Sequence, residues 1–225
     1  MIGLQIHKRT RTIAPAHIEA FSEIPVANIS DCMTRMAAGG PRLRPMHKGG
    51  RLAGPALTVK TRPGDNLMIH KALEMAVPGD VIVVDGGGDL TNALIGELMT
   101  TYAIKRGVAG FVINGAIRDL DVISAGAFPV YAAGITHRGP YKDGPGAINV
   151  PIAIDGMVIL PGDLILGDAD GVLCVPVDGA DEVLAAARKK VDAEKKTLQD
   201  IAAGKLDQSW VDVTLQRIGC NTEPK

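Results

Sequence analysis

Residues 80–115, DVIVVDGGGDLTNALIGELMTTYAIKRGVAGFVING, hold two apolar runs on either side of a segment, 86–107, with helical spacing. Apolar runs that do not alternate with polar residues are typical of strands covered on both faces. The same alternation continues in both directions, with a strand at 52–61, a helix at 66–76, a helix at 116–126 and a strand at 128–134. This order predicts an α/β fold whose sheet is covered on both faces.

Turn and cap signals place the ends of several helices. Asp65 follows Pro-Gly and is a candidate N-cap for the helix that begins at residue 66. Residues 14–38 predict two short helices broken at Pro25, with Asn28 as a cap-like residue and Gly39-Gly40 as the stop.

The sequence pattern changes after Gly139, where turns rich in Gly and Pro separate short apolar runs. These runs predict antiparallel strands at 148–154, 157–163, 164–168 and 171–177. A long amphipathic helix at about 180–203 and a polar tail at 204–225 complete the chain. We therefore expect residues 1–225 to form a single domain in three layers, with a βαβ-rich half and a β-rich half.

Composition excludes several classes of protein. The 24 basic and 25 acidic side chains give a formal charge of −1, so no basic field collects phosphates. Three Phe, three Tyr and one Trp are too few for stacking on single-stranded nucleic acid. Three cysteines without a C-x-x-C pair indicate neither a disulfide framework nor a zinc site. With no secretory or membrane-spanning segment in view, we expect a soluble cytoplasmic protein without nucleic-acid or membrane partners.

Three suggestive motifs lack the required spacing. Gly86-Gly87-Gly88 follows a strand, but no G-x-G-x-x-G or phosphate-loop pattern is present. The histidines show no ligand spacing, and no serine lies in a G-x-S-x-G elbow. Asp168 and Asp170 are better explained by a β-turn than by a calcium loop.

One constellation indicates chemistry: Gly96-Glu97-Leu98-Met99 and Arg118-Asp119, with 20 residues between Glu97 and Arg118. Both stretches follow strands, so they are expected to face one crevice at the carboxyl edge of the sheet. A helix beginning near Gly96 would leave the N–H groups of Glu97, Leu98 and Met99 free to hold a carboxylate. Arg118 offers a cationic fork for an oxyanion, and Asp119 offers a hard oxygen for Mg²⁺. The set predicts a site for a small keto acid.

Each of these residues also has a purely structural interpretation. Glu97 is a favourable charge in the first turn of a helix, Arg118 is a candidate for a surface ion pair, and Asp119 is a candidate N-cap for the following LDVISA segment.

Residues 83–119 closely resemble the class II 4-hydroxy-4-methyl-2-oxoglutarate aldolases, within the family named after the regulator of ribonuclease E activity A. The likeness covers roughly residues 20–205. Its signature, an acidic residue, twenty spacers and Arg-Asp, fits Glu97, Arg118 and Asp119. The first acid is Asp in the best-known aldolase of the family. The non-enzymatic regulators resemble this chain in VVDGGG but lack the Asp after the Arg, so Asp119 favours an enzyme.

The resemblance implies a swivelling β/β/α fold, a trimer or a dimer of trimers, and a requirement for Mg²⁺ or Mn²⁺. It implies cleavage of 4-hydroxy-4-methyl-2-oxoglutarate to two pyruvates or of 4-carboxy-4-hydroxy-2-oxoadipate to pyruvate and oxaloacetate, together with decarboxylation of oxaloacetate. It also implies substrate contacts at Gly96, Glu97, Leu98 and Met99, a pyruvate-binding Arg118 and a metal-ligating Asp119.

These residue types suit that reaction. A metal acts as the Lewis acid for the enolate of pyruvate, and Arg118 can stabilise the same negative charge. Glu97, acting through a water molecule, is the candidate base for the C4 hydroxyl proton. No Schiff-base lysine is required.

The long C-terminal helix carries one charge on its apolar seam, which comprises Leu184, Ala187, Val191, Glu194, Leu198 and Ile201. The family supplies a glutamate to the active site from an adjacent subunit, and Glu194 lies where that residue would fall. We therefore expect Glu194 to approach the Arg118-Asp119 site of a neighbouring protomer. The alternative is that the helix drifts and Glu194 reaches water at its edge.

Two other functions compete with the aldolase. One is a non-catalytic regulator that docks on a ribonuclease or helicase, which needs neither Asp119 nor a metal. The other is methyl transfer to a quinone, for which the chain has no S-adenosylmethionine fingerprint.

Overall fold

The structure is a computed structural model that describes residues 3–35 and 39–221. Its helices are α1 (Pro15–Ser22), α2 (Val26–Cys32), α3 (Leu67–Met75), α4 (Glu97–Lys105), α5 (Leu120–Ala125), α6 (Ala180–Ala202) and α7 (Ser209–Arg217). Its strands are β1 (Leu4–Ile6), β2 (Arg44–Pro45), β3 (Leu52–Thr61), β4 (Val81–Asp85), β5 (Ala93–Ile95), β6 (Gly110–Ile117), β7 (Val130–Ile135), β8 (Gly146–Ile148), β9 (Ile152–Ile154), β10 (Met157–Ile159), β11 (Leu164–Asp168) and β12 (Gly171–Val175).

Ten of these strands form one mixed sheet. Its main path runs β1-β8-β3-β4-β6-β7-β2, and β3, β4, β6 and β7 are parallel to one another. The helices α3, α4 and α5 connect these parallel strands in sequence, which is the crossover that parallel pairing requires. The β-rich half adds antiparallel partners: β11 pairs with β3 and β12, and β9 pairs with β10 as a separate hairpin. The predicted mixed α/β fold with a long C-terminal helix is confirmed.

The sheet is buried on both faces. One face packs with α3 and α4 through residues such as Ile69, Leu73 and Ala103. The other face packs against the β-rich half through residues such as Ile165 and Cys174. All eight residues of β6 are buried, which explains why this strand is apolar in sequence at every position except Asn114.

Several predicted boundaries were wrong. The strand predicted over 148–154 is split into β8 and β9, and the helix predicted over 116–126 is only α5, because β6 continues to Ile117. Asn28 does not cap α2, because the helix begins at Val26 after Pro25 and Asn28 is buried inside it. The same helix ends at Cys32, well before Gly39-Gly40. The helix predicted over 86–107 is α4 alone, preceded by a loop and by β5.

Local chemistry accounts for this last error. Gly87 and Gly88 have φ angles of 70° and 72°, which a right-handed helix does not allow. The Asp89 carboxylate accepts the N–H and the hydroxyl of Thr91, and this local turn competes with helix formation.

The chain divides into two units after Ala187. The first contains the whole sheet and the start of α6. The second contains the rest of α6 and α7, so the predicted polar tail carries a helix that was not foreseen. The single domain predicted over residues 1–225 is not tested by this division and stays a prediction. Among the described helices, none is long and apolar enough to span a bilayer.

Candidate active site

The ends of β5 and β6 bring the two predicted stretches together. These strands are parallel neighbours with Ile95 opposite Ile117, so Gly96 and Arg118 leave the sheet side by side. The Arg118 N–H donates to the Ile95 carbonyl at 3.0 Å, which fixes the separation of the two chains. The helix α4 begins at Glu97 with Gly96 as its N-cap, as predicted.

Asp119 joins the two stretches through its side chain. Its backbone is left-handed (φ 57°, ψ 39°) at the N-cap of α5, but its carboxylate makes no hydrogen bond to that helix. Instead, Asp119 Oδ2 accepts the Glu97 N–H at 2.9 Å. The first N–H of α4 therefore holds a carboxylate, and that carboxylate belongs to the protein itself.

This contact corrects one expectation about the helix end. Of the three N–H groups predicted to be free, that of Glu97 is taken by Asp119, and that of Met99 donates to the Gly96 carbonyl at 3.1 Å. Within the described part of the chain, the Leu98 N–H alone of these three has no acceptor.

Gly96 is required by close packing rather than by its backbone angles. A Cβ at this position would overlap Asp119 Oδ2 and would lie 2.9 Å from Arg118 Cγ. The absence of a side chain therefore lets Arg118 and Asp119 pack directly over the start of α4.

Arg118 and Asp119 remain open to solvent. Arg118 Nε lies 3.7 Å from Asp119 Oδ2, and the two side chains are 42% and 39% exposed. At that distance and exposure the pair contributes little to stability, which leaves the guanidinium available to a ligand. The Glu97 side chain is also exposed, on the first turn of α4.

The same cleft is lined by residues that sequence reasoning missed. Asn66, His70 and Lys142 share it with Leu98, Met99, Arg118 and Asp119. Asn66 is buried and donates to the Leu94 carbonyl at 2.9 Å, and Lys142 Nζ donates to Asn66 Oδ1 at 3.4 Å. Asn66 and His70 are one helical turn apart at the start of the helix that follows β3. A third strand-to-helix connection at the same edge of the sheet was the sequence signal that could have identified them.

The cleft also perturbs one histidine. Loss of hydration and the nearby charge of Lys142 lower the pKa of His70 below its ordinary value. The ring is therefore neutral at neutral pH and can accept as well as donate a proton.

The donor set fits a hard divalent ion held by few protein ligands. Among the described residues, no group of three or more His, Cys, Asp or Glu side chains could enclose a metal. Asp119 uses Oδ2 for the Glu97 N–H, and Oδ1 has no partner in the described chain. Mg²⁺ is commonly bound through one or two carboxylates while waters or substrate oxygens complete its shell, so Asp119 suits it.

Glu194 lies in the second unit of the chain. Its Oε1 is 3.1 Å from Lys190 Nζ one turn earlier on α6, and its side chain is half exposed. Lys190, on the same helix, therefore supplies a positive charge next to the Glu194 carboxylate. Its approach to a neighbouring protomer stays a prediction.

Together, the mixed sheet and an Arg-Asp pair docked on a helix N-terminus define an α/β protein with a polar cleft at a strand edge. Residues 26–174 match the RraA-like family, described as Aldolase/RraA, and the chain belongs to that family.

Individual relatives agree with this assignment. A protein of Halalkalibacterium halodurans named "Putative 4-hydroxy-4-methyl-2-oxoglutarate aldolase" is 41% identical over 186 residues, which cover 81% of this chain and 89% of that protein. An uncharacterized protein from Pseudomonas syringae has a similar structure, with a TM-score of 0.77, 28% identity and coverage of 86% and 95%. The RNA-processing inhibitor RraA of Thermus thermophilis gives a TM-score of 0.62 at 32% identity, covering 68% of this chain and 92% of that one.

Proposed function

We propose that this chain is a divalent-metal-dependent aldolase. Its substrates are 4-hydroxy-4-methyl-2-oxoglutarate, 4-carboxy-4-hydroxy-2-oxoadipate or both, cleaved to pyruvate and a second keto acid, and it also decarboxylates oxaloacetate. One observation carries the proposal: Arg118 and Asp119 meet the start of α4 in a single cleft, with the guanidinium and one carboxylate oxygen unengaged. The naming of a relative at 41% identity as an aldolase supports it.

The reaction breaks the C3–C4 bond of the substrate. The C4 hydroxyl loses its proton and becomes a carbonyl, the electron pair of the broken bond passes to C3, and the resulting enolate of pyruvate is protonated at C3. The developing charge is therefore on the 2-keto oxygen, where Arg118 can donate two hydrogen bonds. With Mg²⁺ or Mn²⁺ bound at Asp119, the site would also have a Lewis acid for that oxygen.

Proton transfer is assigned to Glu97. Its carboxylate is exposed on the first turn of α4 and is not among the groups that line the cleft, whereas its backbone N–H binds Asp119 Oδ2. Acting through a water molecule, it takes the C4 hydroxyl proton. The Leu98 N–H and the Met99 side chain border the position of the substrate.

The active unit proposed is a trimer or a dimer of trimers in the cytoplasm, with Glu194 completing the site of a neighbour. Its partners are small keto acids and copies of itself, with no nucleic acid and no membrane.

A regulator of RNA processing is the second candidate. It is favoured by the likeness to the Thermus thermophilis RraA, named as an RNA-processing inhibitor. A regulator that works by docking needs neither pyruvate release nor a metal, so one assay separates the two functions.

The test is pyruvate release measured with a coupled lactate dehydrogenase, with and without Mg²⁺. We expect EDTA to abolish release and added metal to restore it. Asp119→Asn keeps an oxygen for the Glu97 N–H and tolerates the left-handed backbone, but it removes the ligand charge, so we expect it to be folded and inactive. Asp121→Asn, two residues later on the first turn of α5, is the matched control and should retain activity. Full activity of metal-free protein, or of Asp119→Asn, would refute the proposal.

A further inference from the structure

Asp65 is a buried carboxylate that lies just outside the cleft. Its side chain is fully shielded from water at the junction of β3 and α3. Burying an ionised carboxylate is costly unless hydrogen bonds and opposite charge replace the lost water. Asp65 has both hydrogen-bond donors and a neighbouring positive charge. Supporting the start of one helix does not require this many partners.

The hydrogen bonds of Asp65 tie two distant segments together. Oδ1 accepts the Leu67 N–H, the first of α3, at 2.9 Å, although the N-cap position is Asn66 and not the predicted Asp65. Oδ2 accepts the Asp143 and Gly144 N–H groups, both at 2.8 Å, across 78 and 79 residues of sequence. Arg62 Nη2 lies 3.1 Å from the same oxygen.

Two backbone contacts complete this junction. The Asn66 N–H donates to the Tyr141 carbonyl at 3.0 Å, and the Tyr141 N–H donates to the Gly64 carbonyl at 2.8 Å. Lys142 is therefore held from both sides, through Tyr141 before it and Asp143 after it. Its ammonium lies 3.4 Å from Asn66 Oδ1 in the cleft that contains Arg118.

Asp65 is charged at neutral pH. Burial alone would raise the pKa of this carboxyl, but the three N–H groups and Arg62 outweigh burial and lower it. The junction is therefore not loosened by ordinary changes of pH.

We propose that Asp65 is a positioning residue of the active site, which holds the 141–144 segment so that Lys142 presents its ammonium to the cleft beside Asn66. The inference rests on the proposed function, because the charge so placed would meet the second carboxylate of a dianionic keto acid whose pyruvyl end is held by Arg118. Asp65 itself touches no substrate.

A double-mutant cycle tests this dependence. Asp65→Asn retains one acceptor oxygen and must lose part of the junction. We expect kcat/KM to fall about 10- to 100-fold, mainly through KM, as for the loss of a charge-assisted contact. Lys142→Ala should cause a similar loss, and the double variant should be no worse than Lys142→Ala alone.

Asp163→Asn is the matched control. Asp163 is also a buried carboxylate that accepts two backbone N–H groups and pairs with an arginine, Arg11, at 2.7 Å, but it does not line the cleft. Its effect on kcat/KM should be small and should be the same with or without Lys142→Ala. Losses that multiply in the Asp65 cycle, or an equal KM effect of Asp163→Asn, would overturn the positioning role.

A measurement that needs no activity separates this inference from the aldolase itself. Reductive ¹³C-methylation of the lysines gives one NMR resonance that is missing in Lys142→Arg. In Asp65→Asn this resonance should change its chemical shift, because the neighbouring Asp143 and Gly144 N–H groups lose their carboxylate acceptor, even if the wild-type protein cleaves no keto acid. An unchanged resonance would refute the inference and leave the aldolase untouched. If Asp65→Asn does not fold, Arg62→Met removes the charge partner of Asp65 from a partly exposed position. A shifted Lys142 resonance in Arg62→Met would then support the positioning role, and an unchanged one would refute it.

Discussion

Gly96→Ala should disable the site without unfolding the protein. Gly96 has an extended backbone (φ −158°, ψ −163°), which alanine adopts without strain, so the effect of the substitution is steric. The new Cβ would overlap Asp119 Oδ2 and approach Arg118 Cγ to 2.9 Å and Nε to 3.2 Å. Asp119 Oδ2 ends a partly exposed side chain and can turn away, but only by giving up its hydrogen bond to the Glu97 N–H, and the Arg118 side chain has to shift as well.

The expected effect of Gly96→Ala on catalysis is much larger than its expected effect on stability, so the two can be measured separately. Displacing a catalytic side chain by about 1 Å lowers a rate about 10²-fold, and losing a preorganised oxyanion donor costs about 10² to 10³. We therefore expect kcat/KM to fall by about 10²- to 10³-fold. Loss of the Asp119 hydrogen bond to Glu97 costs about 1 kcal/mol of stability, and replacing glycine in an allowed conformation returns about 0.4–1 kcal/mol. The melting temperature should therefore hardly change.

The assay pairs metal-dependent pyruvate release with thermal unfolding. Gly126→Ala is the control, because Gly126 is also extended and its Cβ would meet the Ile123 and Val122 carbonyls at ordinary distances of 3.7 and 3.9 Å. It should match wild type in both measurements. A Gly96→Ala protein within about threefold of wild-type kcat/KM would show that the packing of Arg118 and Asp119 over α4 is not needed for catalysis.

Three further predictions follow from single side chains. Arg118→Ala should lower kcat about 10²- to 10³-fold and Arg118→Lys should restore only part of it, since a point charge does not reproduce the guanidinium fork, while a variant within twofold of wild type would make Arg118 a surface residue. Mixing inactive Glu194→Ala and Asp119→Ala proteins under subunit exchange should regenerate activity, because some shared sites regain both residues; no recovery despite demonstrated exchange would exclude a shared site. The pKa of Asp65 is lower in the folded protein than the unfolded value of about 3.9, so its stabilisation is present above that pH and is lost as pH falls through the folded value; urea midpoints of Asp65→Asn at neutral and acid pH should therefore differ less than those of wild type, and an equal difference would contradict the assignment.

Sequence patterns predicted best where burial acts on a whole element. β3 occupies 52–61 as expected and β6 is buried at every position, because strands covered on both faces must be apolar throughout. The meeting of Gly96 with Arg118 was expected from the order of β4 and β6, although the strand that places Gly96 beside Arg118 is β5. The three-residue β5 was not, because so short a strand gives no periodicity and its pairing to β6 is long-range.

The other half of the cleft was hidden for a different reason. Lys142 lies in a segment without regular structure. Its place depends on the next residue, Asp143, whose N–H donates to the Asp65 carboxylate across 78 residues. The sequence pattern predicted one local role for Asp65, as the N-cap of α3; the N-cap is Asn66 instead, and Asp65 accepts the N–H of the first helical residue. Its second oxygen carries the contact that shapes the cleft, and no local pattern reports it.

The position of Asp119 explains how one fold can carry both chemistry and regulation. Its carboxylate supports α4 through a single hydrogen bond to Glu97, worth about 1 kcal/mol, whereas the sheet is held by strands buried on both faces. A relative that lacks this carboxylate would lose the hydrogen bond to the start of α4, and under the proposed function the metal ligand, but would keep the fold. Likeness of fold to the Thermus thermophilis inhibitor therefore carries no information about catalysis. Activity has to be judged at residue 119, where this chain has a carboxylate with one oxygen facing an open guanidinium and the other without a protein partner in the described chain.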